Sequence, residues 1–425
     1  MNETIQTLKS EMQDVLQSNI LPFWLHKMRD NERGGYYGQM TGEGVLVKDA
    51  PRGCILNARI LWSFAAAYRV LGDREYRDAA YAQFEYCREH FMVYETGACY
   101  WSITADGEPL DTKNQFYALG FMLYGMSEFL RALRRWGCLP GTNMDERVVE
   151  CCHRIFNAIE QHAFDPVNNG YIEALSSDWQ PLADMRLSDL DANYPKSQNT
   201  HLHIIEPYTN LLNAFREGGY LEAPTEPCRH DHLGPRVAYA VRNLISIFTD
   251  RILNPETHHL DLFFEMDWTR GAGWLESYGH DIECSWLLHE AALVLGDKEV
   301  LARVEPIVRL VAKASEKGLN ADGSMTHEAN LDTGHVDADR HWWVQAETVV
   351  GFINIYQHFG DESALQKALA CWQYIKDNLI DHELGEWYWS RDAKRHINRR
   401  DDHAGFWKCP YHNSRMCLEV IERKF

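Results

Sequence analysis

The sequence predicts an all-α fold, an (α/α)6 barrel whose active-site face carries short β-hairpins. Three features of the 425-residue chain predict it. A layout of helix, Gly- and aromatic-rich hairpin, helix recurs six times. Helices that are apolar all round alternate with amphipathic ones. A residue with chemical potential sits near the start of the second helix of every repeat. The hairpin segments are Gly34-Gly35-Tyr36-Tyr37, Gly97-Ala98-Cys99-Tyr100-Trp101, Gly170-Tyr171-Ile172, His259-Leu260-Asp261-Leu262-Phe263, Gly323-Ser324-Met325 and Gly385-Glu386-Trp387-Tyr388-Trp389, roughly 60–90 residues apart. The residues that follow them are Arg59, Tyr117, His203, His280, Trp342-Trp343 and His412. Units that close into a ring aim such equivalent positions at a common centre.

Twelve helices are expected. The first, 4–20, is polar. The second, 54–72, is apolar nearly all round: Ile55, Leu56, Ile60, Leu61, Trp62, Phe64, Ala65 and Ala66 leave only Asn57, Arg59 and Ser63 polar. A helix of that kind is buried on every side. The third, 74–91, is amphipathic and rich in Arg, Glu and Gln, as expected of an outer ring. Gly72-Asp73 closes one helix and opens the next. The pattern continues through 113–136, 143–161, 200–217 and 235–253. It then runs through 280–296, 298–317, 341–359, 361–380 and 410–424, with Gly296-Asp297 and Gly360-Asp361 at matching joints. Pro207 has no N–H for the His203 carbonyl, which predicts a helix start or kink there. The stretch Gly218–Pro235 reads as a surface insertion. No Pro/Ser-rich linker divides the chain, so residues 1–425 are expected to form one domain.

Composition narrows the partners. With 14 Trp and 20 Tyr the chain suits a sugar site better than a nucleic-acid site. Its 42 basic and 62 acidic residues give a net charge of −20, so no nucleic-acid partner is expected. No 18-residue apolar run stands out, and Met1–Ile20 has no signal-peptide core, so no membrane partner is expected either. The 11 Cys show no CxxC spacing, which fits a reduced cytoplasmic setting. A monomer without cofactor is expected.

Three histidine segments carry the chemistry: Asn199-Thr-His-Leu-His203-Ile-Ile-Glu206, Tyr278-Gly-His280-Asp-Ile-Glu283 and Trp407-Lys-Cys-Pro-Tyr-His412-Asn. Each lies at a hairpin-to-helix junction. Asn199, His203 and Glu206 share a helical face, as do His280 and Glu283. A carboxylate one turn away can orient an imidazole and fix its tautomer. At a helix N-terminus the dipole disfavours imidazolium, which keeps histidine neutral and available as a base. The competing reading, a zinc site built from His201, His203 and His280, lacks the HExxH spacing and any neighbouring Cys, so no metal is expected. Arg59 lies in an apolar helix as an ion-paired residue or a site residue. The tandem Trp342-Trp343 and Trp407 either fill the core or offer a flat face to sugar C–H groups.

Together the segments ILNARILW, NTHLHIIEPYTNL, SYGHDIECSWLL, RHWWVQAETVVGFIN and WKCPYHNSRM resemble the N-acylglucosamine 2-epimerase superfamily, and within it the cellobiose 2-epimerases, over essentially the whole chain. The resemblance implies an (α/α)6 barrel. It also implies reversible epimerisation at C2 of the reducing-end sugar of a β-1,4-linked disaccharide, by ring opening and a cis-enediol. By that similarity His280 and His412 are the acid/base pair and His203 the third site histidine. Arg59 and Asn199 touch substrate, Glu283 supports His280, Trp343 and Trp407 stack on sugar rings with Trp342 beside them, and Tyr117 is a further contact. The WW pair and the GHDIE and PYHN spellings favour a disaccharide over a monosaccharide. The Gly218–Pro235 stretch departs from the family in length. Activity is expected to be highest at neutral to slightly alkaline pH, and mannooligosaccharide catabolism is the setting this chemistry suggests.

Two other enzyme classes remain open at this level. An aldose–ketose isomerase, or an N-acylglucosamine 2-epimerase, would use the same histidines on a monosaccharide. A glycoside hydrolase or lyase would need two carboxylates flanking the bond. Asp189, Asp337, Asp339 and Glu347 are the candidates, without an evident pair. A binding protein without turnover would not need three histidines.

Overall fold

The computed structural model describes residues 3–136, 143–218 and 233–425. Residues 219–232, most of the expected insertion, lie outside the described residues. Among the described residues, twelve principal helices appear where the repeat predicts them. The outer ones are α1 (Glu3–Val15), α3 (Arg74–His90), α5 (Met144–His162), α7 (Leu233–Ile247), α9 (Lys298–Ser315) and α11 (Glu362–Asn378). The inner ones are α2 (Cys54–Leu71), α4 (Phe116–Trp136), α6 (Gln198–Gly218), α8 (Tyr278–Leu295), α10 (Trp342–Phe359) and α12 (Tyr411–Glu422). Each inner helix packs against the next, and α12 returns to α2, so six helices close a ring. Each outer helix packs on an inner neighbour, α1 on α12 included. The fold is an (α/α)6 barrel.

The caps are as expected. Gly72, Gly296 and Gly360 have positive φ, and Asp73, Asp297 and Asp361 accept hydrogen bonds from the first turn that follows. Every residue of α2 from Cys54 to Tyr68 is buried. By length and apolarity α2 is also a helix that could cross a membrane, against the expectation that no such run exists. In the barrel 83% of it is buried, which accounts for that composition.

Two layers of short β-pairing close the upper end. After each outer helix the chain folds back on itself: Arg29 bridges Tyr36, Phe164 Tyr171, Leu253 Leu260, Leu319 Met325 and Ile380 Trp387, while Met92–Val93 pairs with Ala98–Cys99. These are the six segments singled out in the sequence. The fourth turns on His258, at φ 62°, where others place glycine. The strand before each inner helix then pairs with the strand after the next unit's hairpin. Arg52–Gly53 meets Ser102–Ile103, Asn114–Gln115 meets Ala174–Leu175, and Lys196–Ser197 meets Phe263–Phe264. Leu275–Ser277 meets Glu328–Asn330, and Arg340–His341 meets Ser390–Arg391. The sixth link, Met40 to Ala404, joins the last unit to the first. Every inner helix therefore starts from a point clamped by its neighbour.

Pro207 neither starts the helix nor stands outside it: α6 begins at Gln198 and runs through it. The His203 carbonyl that loses its helical donor lies against Gly120 of α4, where an added Cβ would meet that oxygen at 2.3 Å. Close approach of the two helices thus depends on glycine at 120. Gly120→Ala is expected to destabilise the protein by about 1–3 kcal/mol by forcing α4 and α6 apart. Urea denaturation checks this, and an unchanged midpoint would show that the contact is not needed.

Candidate active site

The N-terminal ends of the inner helices open into a cavity of about 340 Å³. All ten residues anticipated for the site line it: Arg59, Tyr117, Asn199, His203, His280, Glu283, Trp342, Trp343, Trp407 and His412. They come from all six inner helices or the turns just before them, as a sixfold ring requires.

The three histidines are held by different partners. His203 Nδ1 lies 2.9 Å from Glu206 Oε2, and His412 Nδ1 lies 2.7 Å from Glu347 Oε1. His280 Nδ1 lies 2.8 Å from Ser277 Oγ. This corrects the assignment of Glu283 as the support of His280. Although the two share a helical face, Glu283 Oε1 accepts instead from Arg415 Nη2 at 2.7 Å. With Nδ1 engaged in each case, Nε2 is the nitrogen left to act in the cavity. Burial pushes all three imidazoles down, His280 to about 3 and the other two well below the usual range.

The group that organises these partners is Arg415, fully buried on α12. Its Nη2 donates to Glu283 at 2.7 Å and Glu347 at 2.6 Å, and its Nη1 donates to Glu206 and Tyr411. Trp286 Nε1 donates to the second oxygen of Glu347 at 2.9 Å. Three carboxylates (Glu206, Glu283, Glu347) face two guanidiniums (Arg59, Arg415), leaving one negative charge in excess. Burial raises Glu283 to about 8 and raises Glu347 as well, so the cluster retains a proton near neutral pH. Glu347 abuts His412, and a proton shared by that pair brings the set to neutrality.

Arg59 Nη2 donates to the Tyr117 hydroxyl at 2.9 Å, and its guanidinium lies 4.0 Å from the Phe121 ring centre. Burial pushes the Tyr117 phenol up to about 12, so it stays protonated. The Trp343 ring packs near two histidines, 4.9 Å from His280 and 5.7 Å from His412 by ring centres. Trp342 is almost wholly buried against Trp389, at 4.7 Å, so it presents only an edge. Trp407 lies against Tyr117 at 6.1 Å and Trp101 at 6.0 Å, part-exposed on the wall.

The rival assignments find little support. His201 has both nitrogens engaged, with Ser197 O at 2.6 Å and the Tyr171 amide at 2.9 Å, so it belongs to the fold. Among the described residues two groups converge closely enough to hold a cation: His327, Asp337 and His341 at the rim, and Glu283, Glu347 and His412 inside. In the inner group the Arg415 guanidinium already supplies the positive charge. Of the hydrolase candidates, Asp189 is exposed, Asp337 is engaged by His327 and His341, Asp339 accepts from Ser390, and Glu347 is engaged by Trp286, Arg415 and His412.

Sequence reasoning missed Arg415, Ser277 and the role of Glu347. The available signal was a charged residue inside an otherwise apolar inner helix, the same signal that marked Arg59. Replacement of Arg415 by Met should strand three buried carboxylates and cost about 3–5 kcal/mol at pH 7, with part recovered on acidification as they take up protons. Urea titrations at pH 5 and 7 measure it. A second expectation concerns the imidazoles. Because the folded pKa values lie below the unfolded value of about 6.5, protons go to the unfolded chain first. Their contribution to stability is complete above that pH and declines as pH falls toward 3. Nitrogen-resolved NMR should show His280 neutral from pH 5 to 8, and titration within that range would contradict the burial argument.

The comparisons agree with this geometry. The family model for N-acylglucosamine 2-epimerase (GlcNAc 2-epimerase) matches residues 35–414. A protein of Bacteroides fragilis named cellobiose 2-epimerase is 50% identical over 416 residues, covering 98% of this chain and 99% of that protein. The solved structure of cellobiose 2-epimerase from Bacillus thermoamylovorans B4167 is 34% identical and superposes with a TM-score of 0.86, covering 99% of this chain and 100% of that one. A sugar epimerase from a ruminal bacterium, also 34% identical, superposes with a TM-score of 0.88 over 98% of this chain and 99% of that one. With its matched residues, its barrel and its ring of site residues together, the chain belongs to the N-acylglucosamine 2-epimerase family.

Proposed function

We propose that the protein is a carbohydrate epimerase that interconverts cellobiose and 4-O-β-glucosylmannose at C2 of the reducing-end sugar. The observation that carries this is the pair of histidines His280 and His412, both packed near the Trp343 ring and lining one cavity, each with Nδ1 engaged by a neighbouring side chain. Epimerisation needs two proton-transfer groups on opposite faces of one carbon, and a pair of histidines lining one cavity supports that reading. The 50% identity to a cellobiose 2-epimerase over 98% of the chain favours the disaccharide over a monosaccharide.

The ring opens first, because only the free aldehyde makes the C2 proton acidic. His412 delivers a proton to the ring oxygen and takes that of the anomeric hydroxyl. His280, neutral, then removes the C2 proton through Nε2. The electron pair moves into a C1–C2 double bond, giving a cis-enediolate with its charge on O1. Arg59 and His203 hold that charge, a role worth a few kcal/mol per donor. Rotation about C2–C3 turns the other face of C2 toward His412. Its Nε2 proton passes to C2, the O1 electrons re-form the carbonyl, and Glu347 re-protonates Nδ1. His280 is left protonated and Glu347 ionised, and exchange with water resets both. Trp343 and Trp407 stack on the sugar rings. The nine described cysteines, all buried free thiols, favour a reducing, cytoplasmic setting, and breakdown of mannan-derived oligosaccharides would use this reaction.

Incubation with cellobiose in deuterium oxide tests the reading. Glucosylmannose carrying deuterium at C2 is expected by proton NMR. A ketose product would mean isomerisation, free glucose hydrolysis, and conversion of monosaccharides alone a smaller substrate. His280→Ala and His412→Ala should each lower kcat by about 10²–10⁴ while the protein stays folded. Full activity in either variant would remove that residue from the mechanism.

A further inference from the structure

Apart from the histidines of the mechanism, three side chains converge at the rim of the cavity: His327, Asp337 and His341. Asp337 Oδ2 lies 2.8 Å from His327 Nδ1 and 3.7 Å from His341 Nε2, and the three ligand atoms all fall within 4.8 Å of one another. The two imidazole rings stack, 4.2 Å apart by centres and 26° from parallel. Zinc bonds of about 2.0–2.2 Å put tetrahedral donors roughly 3.4 Å apart, which lies within this span.

Paired backbone fixes all three. The strand Glu328–Asn330, which follows His327, pairs with both Leu275–Ser277 and His335–Asp337, and Glu328 stands opposite Asp337. His341 ends the strand Arg340–His341, which pairs with Ser390–Arg391 and leads into Trp342. The Asp339 amide donates to Asp337 Oδ1 at 3.1 Å, and the other oxygen serves the histidines. Among the described residues the ion-pair partners of Asp337 are these two imidazoles, with no lysine or arginine. That separates the rim from the inner group of Glu283, Glu347 and His412, where Arg415 donates to both carboxylates. Two ring nitrogens and one carboxylate oxygen suit zinc and the metals next to it, whereas magnesium and calcium take oxygen ligands. All three side chains are part-exposed, so water can complete the coordination.

We propose that His327, Asp337 and His341 form a binding site for one divalent transition-metal ion of the zinc type, and that a filled site obstructs the cavity. His327 is itself part of the cavity wall and packs 5.8 Å from the Trp343 ring by centres. An ion held there, with its water, takes up space on the wall beside Trp343. The site has no part in the proton transfers and does not depend on which sugar is converted.

The test is calorimetric titration of metal-stripped protein with zinc chloride, beside Asp337→Asn and His341→Gln. Loss of an outer partner of a metal ligand weakens binding about 10–100-fold, and loss of a ligand should weaken it at least as much in each variant. Magnesium chloride should not bind. Turnover should fall as zinc fills the site, with a midpoint matching the binding constant. Each variant should need at least about tenfold more zinc for the same fractional loss from its own zinc-free rate. Equal zinc affinity in the unaltered protein and both variants overturns the proposal and places the ion elsewhere, the inner group included. An equal response to magnesium also overturns it, because a plain carboxylate patch would give one. Zinc held at the rim with no loss of turnover overturns the blocking role. If Asp337→Asn does not fold, His341→Gln carries the comparison. If cellobiose is not converted, the sugar reading fails, and the titration still decides the metal site.

Discussion

One buried guanidinium holds the centre of this protein together. Arg415 rises from α12 and reaches carboxylates on α6, α8 and α10, so four of the six inner helices meet at one charge. Taking an arginine and three glutamates out of water is expensive, and only their mutual geometry offsets it. Two of those glutamates in turn hold His203 and His412 through Nδ1. The orientation of the reacting nitrogens is therefore set one layer behind the cavity. The same cluster, with Arg59 beside it, carries one negative charge in excess, which accounts for a proton kept near neutral pH without any imidazolium.

The ring supplies the other constraint. Each inner helix begins at a strand clamped to the next unit, and Met40 with Ala404 closes the sixth link. All six helix N-termini point to the same end, so their dipoles add positive potential where an enediolate charge would develop. That potential, with burial, also keeps the histidines neutral. A base that needs a free lone pair and an intermediate that needs a positive surround are served by one piece of architecture.

Much of this was legible in the chain. The sixfold spacing, the all-apolar second helices and the Gly-Asp joints are local patterns, and local patterns survive in a linear reading. So did the ten site residues, because a ring converts equivalent sequence positions into neighbours in space. What failed was partner choice. Glu283 lies one turn from His280, and spacing alone joins them, yet a charge on another helix captures the carboxylate and a serine takes its place. His201 looked like a candidate ligand by its neighbour His203, and alternate directions along the helix send the two to different environments. Pro207 reads as a helix start or kink, yet the helix begins nine residues earlier, and a glycine on α4 makes room for the carbonyl that the proline leaves free.

The sequence by itself determined the elements, their order, the number of repeats and ten of the residues that line the cavity. These follow from periodicity, capping and repetition, which act over a few residues. The tertiary structure alone decided who bonds with whom at that centre, because buried charges choose partners by total desolvation and charge balance across helices. Arg415 lies more than 200 residues from Glu206 in the chain and in direct contact with it in the fold. No spacing rule carries that pairing, and the protonation state of the site depends on it.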